Sequence, residues 1–186
     1  YIHEFRTHLK SVLIWSLGLA FLVVFFFSLF PVFSDQAAMM KGFLEKYPAE
    51  LRSAFGLDKA DLSTVLGYFS FLFMFAQLCL AIQASNYGVG LVSIEESELT
   101  ADFLMSKPVS RRQIMTSKLL AALTSLAVTD LVVWVCTLIS VSLFTEGKTY
   151  DSGTLALMLL SVIPFQLFFL FLGLVISLLV QRVRSV

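Results

Sequence analysis

Two groups of residues carry most of the polar chemistry of this chain. The first is a run of acids and bases between two long apolar segments: Glu95, Glu96, Glu98 and Asp102, then Lys107, Arg111, Arg112 and Lys118. The second is Asp130, alone inside an apolar run. Paired carboxylates can shuttle protons or hold a metal, but a zinc site also needs imidazole or thiolate beside them. The only histidines are His3 and His8, both ahead of the first apolar run. Cys79 and Cys136 fall inside apolar runs, where they serve as small packing residues rather than as a disulfide framework. The chain has no Gly-x-x-x-x-Gly-Lys-Ser/Thr loop to cradle nucleotide phosphates. These residue types point away from catalysis, metal and cofactor in this chain. They point toward charged contacts with a partner or a surface, and toward one polar contact inside a lipid phase.

The elements that must position these residues are apolar. Of 186 residues, 58% are hydrophobic and 14% charged, against about 45–50% and 25% in soluble domains. A chain of this length has too little interior to hide that much apolar surface from water. Thirteen bases balance thirteen acids, so no global charge argues for nucleic acid. A bilayer-crossing helix needs about 20 consecutive apolar residues, and barrel strands run about 10 and alternate. Four such runs fit helices, the third broken once by Asp130. The expected fold is therefore an all-α polytopic membrane protein, organised as one transmembrane domain over residues 1–186. Span one covers 11–34, span two 62–87, span three 119–145 and span four 152–181.

The segments between the spans divide by side. Residues 1–10 place Ile2, Phe5 and Leu9 at spacings of 3 and 4, predicting a short amphipathic elbow helix on the membrane surface. Residues 35–61 form an extracellular segment in which Pro48 opens a short helix. Residues 88–118 form a cytoplasmic loop, 146–151 a tight extracellular turn, and 182–186 a cytoplasmic end. The N-terminal side holds eight Lys and Arg residues against five on the other, which places both ends in the cytoplasm. Tyr1 is not methionine, and the chain stops in a basic segment just after an apolar run; both ends are expected to be trimmed.

In the 88–118 loop, Gly88 and Gly90 are expected to loosen the end of span two. Ile94, Ala101, Leu104 and Met105 then share one helical face, with Glu95, Glu98 and Asp102 largely on another. This pattern predicts a short acidic helix along the cytoplasmic face. Lys107-Pro108 stops it, because proline disfavours helix in the residue before it. Ser110 then caps a new helix, since Ser110-Arg111-Arg112-Gln113 forms a capping box. An ordinary solvated loop with an interfacial anchor would account for the same residues.

The order Glu95-Glu96, Thr100, Phe103-Leu104-Met105-Ser106-Lys107-Pro108-Val109-Ser110-Arg111-Arg112-Gln113-Ile114 and Lys118-Leu119-Leu120-Ala121 resembles the permease subunits of bacterial ABC-type exporters of the type-two permease family. Many members carry glycine before the threonine, where this chain has Leu99. Members also have six spans, so the resemblance implies that the four visible here are the first four of six. It further implies a multi-pass protein of the bacterial plasma membrane, paired with a second permease chain, identical or homologous. An ATP-binding cassette subunit would bind ATP and Mg and hydrolyse the nucleotide. The 88–118 loop would be a coupling helix seated on that subunit, with Glu95, Glu96, Glu98, Asp102, Phe103 and Leu104 in contact. Pro108, Ser110, Arg111 and Arg112 would anchor the loop, the two arginines to anionic membrane lipid.

Asp130 lies 12 residues beyond Lys118, roughly 18 Å along a helix and near the middle of a hydrocarbon core about 30 Å thick. An ionised carboxylate there costs ~2.5–3.5 kcal/mol on insertion scales. It must be protonated, or face the bundle interior or a watery path, either as a contact in the substrate path or in an interhelix hydrogen bond, for example to Ser or Thr on a neighbouring helix or to Gln166. Pro164 frees a carbonyl in span four and predicts a kink. An ion-coupled transporter or channel built on Asp130 is the alternative function, and a non-transporting scaffold another. A glutamate-based intramembrane protease would need an arginine where Thr100 stands and histidines within later spans.

Overall fold

The computed structural model describes residues 2–36, 42, 48–54, 61–97, 111–145 and 147–179. They form α1 (Ile2–Asp35), α2 (Ala49–Ala54), α3 (Val65–Ser97), α4 (Arg111–Phe144) and α5 (Ser152–Leu179). Among the described residues, four stretches are long and apolar enough to cross a bilayer: Arg6–Asp35, Val65–Leu91, Arg112–Phe144 and Ser152–Leu179. The all-α, four-span expectation is met. Apolar side chains such as Ile14, Leu17 and Phe21 on α1 and Phe168, Leu178 and Leu179 on α5 are exposed. A helix apolar on its outward face suits lipid, not water.

Two boundaries differ from expectation, each for a local reason. The surface helix expected over residues 1–10 is not a separate element. No glycine precedes Gly18 and no proline precedes Pro31, so nothing breaks the helix near Lys10, and α1 runs on from Ile2 to Asp35. The hinge expected at Gly88 and Gly90 is also absent, because α3 runs straight through both to Ser97. At its other edge the loop follows expectation: α4 begins at Arg111, the residue after Ser110. The acidic helix expected beyond Ser97 lies outside the described residues. α5 passes through Pro164 without ending.

The chain's contacts group into two compact units. One comprises Ser16–Cys79 and Leu131–Ser161. Its centre is aromatic: Phe27, Phe30 and Phe33 of α1 set their rings 5.3–6.2 Å from that of Tyr68 on α3. The Tyr68 hydroxyl donates to the Phe26 carbonyl at 2.6 Å. Aromatic pairs of this kind add about 0.5–1.5 kcal/mol beyond area burial, and the buried hydroxyl is satisfied rather than stranded. Thr64 Oγ1 accepts the Gly67 N–H at 3.1 Å and caps α3. Gly147 takes φ +77° in the turn before α5, a left-handed conformation that glycine adopts without steric penalty.

The other unit comprises Tyr1–Trp15, Leu80–Asp130 and Val162–Val186. Its core is Ala84, Tyr87 and Leu91 of α3, Ala122 and Leu126 of α4, and Leu170 of α5, with Met115, Leu119, Leu123, Leu167, Phe169 and Leu174 packed around them. Here α3 and α5 come unusually close. A methyl group built on Gly88 would lie 2.1 Å from the Leu170 carbonyl oxygen, and one on Gly173 2.4 Å from that of Ser85. Only glycine permits such backbone-to-backbone contact between membrane helices. Ser85 Oγ donates to the Phe169 carbonyl at 3.3 Å, and Ser177 Oγ to the Val89 carbonyl at 3.1 Å.

Asp151 caps α5, accepting the N–H groups of Gly153 at 3.1 Å and Thr154 at 3.0 Å and the Thr154 hydroxyl. The hydroxyl, then the two backbone donors, hold its carboxyl below the ordinary aspartate value. A carboxyl depressed in the folded state stabilises fully above its unfolded pKa, and that contribution is lost as pH falls through the folded value. Asp151→Ala should therefore lower the thermal midpoint at neutral pH and leave a smaller drop between pH 7 and about pH 3. Parallel melts of both proteins in detergent check this; identical pH profiles would remove the cap from the account.

Candidate functional site

α4 carries most of the buried polar side chains among the described residues: Lys118, Ser125, Thr129, Asp130, Thr137 and Ser140, with Thr145 just beyond its end. Ser125, Thr129 and Thr145 each donate to the carbonyl four residues earlier, the usual way a hydroxyl is satisfied within a helix. Thr137 and Ser140 have no hydroxyl partner among the described residues. Lys118, Thr129 and Asp130 bond to neighbouring helices.

Thr129 and Asp130 are consecutive on α4 and bond in two directions. Gln83 of α3 donates through Nε2 to Thr129 Oγ1 at 2.9 Å. Gln166 of α5 donates through Nε2 to Asp130 Oδ1 at 2.9 Å. From Gln83 the network continues to α1: its Nε2 also approaches the Tyr87 hydroxyl at 3.4 Å, and that hydroxyl donates to Ser11 Oγ at 3.1 Å. The His8 ring meets Tyr87 edge-on at 5.0 Å. Four helices thus share one buried hydrogen-bonded belt. Its members are shielded, with Gln83 and Thr129 fully buried and Asp130 only 8% exposed. The belt has one open valence, Gln83 Oε1, buried without a partner among the described residues.

Lys118 is likewise buried, and its Nζ donates to the Leu91 carbonyl at 3.3 Å. It ties α4 to α3 near the end of the span at Leu91, so α3 is held at successive levels by α1, α4 and α5.

Of the residues singled out from sequence, Asp130 has the interhelix partner named as one of its two options, Gln166. Glu95 and Glu96 lie on the last turns of α3, and Arg111 and Arg112 on the first turn of α4, with Arg112 exposed. Glu98, Asp102, Phe103, Leu104, Pro108 and Ser110 lie outside the described residues. Gln83, Tyr87 and Thr129 were not anticipated. Their signal was present, since Gln83 and Gln166 are among the few amides within the apolar runs and each costs free energy in lipid unless bonded. No group of three or more His, Cys, Asp or Glu side chains able to hold a metal occurs among the described residues.

The Asp130–Gln166 bond should be measurable. Interhelix hydrogen bonds in membranes average ~0.6 kcal/mol and reach ~1.7 kcal/mol. A double-mutant cycle on Asp130→Ala and Gln166→Leu, each of which removes the bond, followed by unfolding in bicelles, should give a coupling energy in that range. Asp130→Asn alone should cost little, because its amide oxygen can still accept. Additive effects of the two substitutions would show that the bond carries nothing.

A family model described as ABC-2 family transporter protein matches residues 1–185. Neither a curated protein nor a solved structure matches the chain.

Proposed function

Because the chain belongs to the ABC-2 family of transporter proteins, in which it is a multi-pass permease subunit, we propose that it moves a substrate outward across the membrane on energy from a separate ATP-binding cassette subunit. That partner binds ATP and Mg; this chain supplies the path and the mechanical input. A second permease chain, identical or homologous, completes the path. The protein resides in the bacterial plasma membrane with its N-terminus in the cytoplasm.

The observation that carries this reading is continuity. α3 extends unbroken past the span end at Leu91 through Glu95 and Glu96 to Ser97, and α4 starts at Arg111 and runs directly into the next span. A loop joined at both edges to uninterrupted helices passes a push on to the spans without a slack joint. The acids Glu95, Glu96, Glu98 and Asp102 meet basic groups on the ATP-binding subunit, and Phe103 and Leu104 fill an apolar pocket at the centre of that contact. Pro108 and Ser110 set the turn into α4, and Arg111 and Arg112 hold it at anionic lipid headgroups. Asp130 lies away from that contact. Its bond to Gln166 supports a role in holding the spans together beside the substrate path.

Reversing Glu95 and Glu96 to lysine should abolish ATP-driven transport and transport-coupled ATPase activity while leaving membrane insertion intact. Reconstitution of the chain with its ATP-binding subunit, read by ATPase rate and substrate flux, checks this. Unchanged complex formation and transport would refute the contact, and flux that persists without ATP would favour an ion-coupled carrier instead.

A further inference from the structure

The contact between α3 and α5 has a consequence for how force crosses the molecule, given the permease reading. Gly88 and Gly173 place each helix backbone directly on the other, at Leu170 and Ser85. On either side of the glycines, a serine hydroxyl from each helix reaches the opposite backbone: Ser85 to Phe169 and Ser177 to Val89. The contact is therefore reciprocal, with a glycine and a serine from each helix. Leu170 between them is fully buried. Sliding one helix along the other would drive ordinary side chains into the glycine positions, so the fit has one register.

The lock also lies on a continuous line between two functional elements. Gly88 is nine residues from Ser97, about 14 Å of unbroken helix from the edge of the loop. Gly173 is seven residues from Gln166, two helical turns and about 10 Å away on the same face. Gln166 in turn holds Asp130 on α4.

We infer that the 80–97 part of α3 and the 162–179 part of α5 move as one rigid lever during transport, with Gly88 and Gly173 as the positioning residues that fix its register. A displacement of the loop at Ser97 is then delivered to the Asp130–Gln166 bond, and relative motion arises against α4 rather than between α3 and α5. The glycines act here as a lock, the opposite of a hinge.

The test joins the two helices covalently. Cysteines replace Val89 and Ser177, Cys79 and Cys136 are changed to alanine, and a short thiol-specific bridge is added to the chain reconstituted with its ATP-binding subunit. The lever predicts no loss of ATP-driven transport on bridging. Loss on bridging that is restored by reduction would overturn it, because the helices would then need to move apart. If the cysteine pair is inactive before bridging, spin labels at the exposed Asn86 and Leu178 decide. An α3–α5 distance unchanged between nucleotide-free and ATP-bound states supports the lever, and a changed distance overturns it. Failure of the permease reading itself would show differently, as absence of ATP-driven transport in the unbridged parent protein.

Discussion

The close approach of two backbones, α3 at Gly88 and α5 at Gly173, is the constraint on which the rest of its unit depends. Lipid offers no hydrophobic drive between helices, because acyl chains are as apolar as leucine. Association must come from packing and from hydrogen bonds that lipid cannot supply. Glycine removes the side chain that would hold the helices apart, and the neighbouring serines then reach the opposite carbonyls. Once α5 is seated on α3, Leu170 closes the core with Ala84, Tyr87, Leu91, Ala122 and Leu126.

The polar belt follows from the same setting. An amide or carboxyl inside a span must find a partner within the protein, and α4 supplies it twice in succession. Thr129 takes Gln83 and Asp130 takes Gln166, so one helix bonds two others at one level. Tyr87 and Ser11 add the fourth helix. The result specifies which helix faces which, something apolar packing alone leaves open.

The parts legible in the sequence were those set by length, charge and local chemistry. Four charge-poor runs long enough for a bilayer gave four spans among the described residues, and the isolated acid at position 130 required a partner that the amide at 166 provides. The parts that were not legible depend on what lies opposite in space. A glycine weakens an isolated helix, so Gly88 and Gly90 indicated a hinge; only Leu170 on a different helix explains why Gly88 must be glycine. The same holds for Gln83 and Tyr87, whose roles exist only once Thr129 and Ser11 face them. The amphipathic spacing of Ile2, Phe5 and Leu9 identified a helix but not a break, and with no glycine or proline nearby it continues into the first span.

The sharpest test compares two glycines in spans. Gly18 has open space around it, whereas a methyl on Gly88 meets the Leu170 backbone. Unfolding measured in bicelles should show Gly18→Ala stabilised by about 0.5–1 kcal/mol through helix propensity. Gly88→Ala should lose about 1–3 kcal/mol from overpacking that backbone cannot relieve. If Gly88→Ala is tolerated as well as Gly18→Ala, the α3–α5 contact does not organise the fold, and the lever built on it fails.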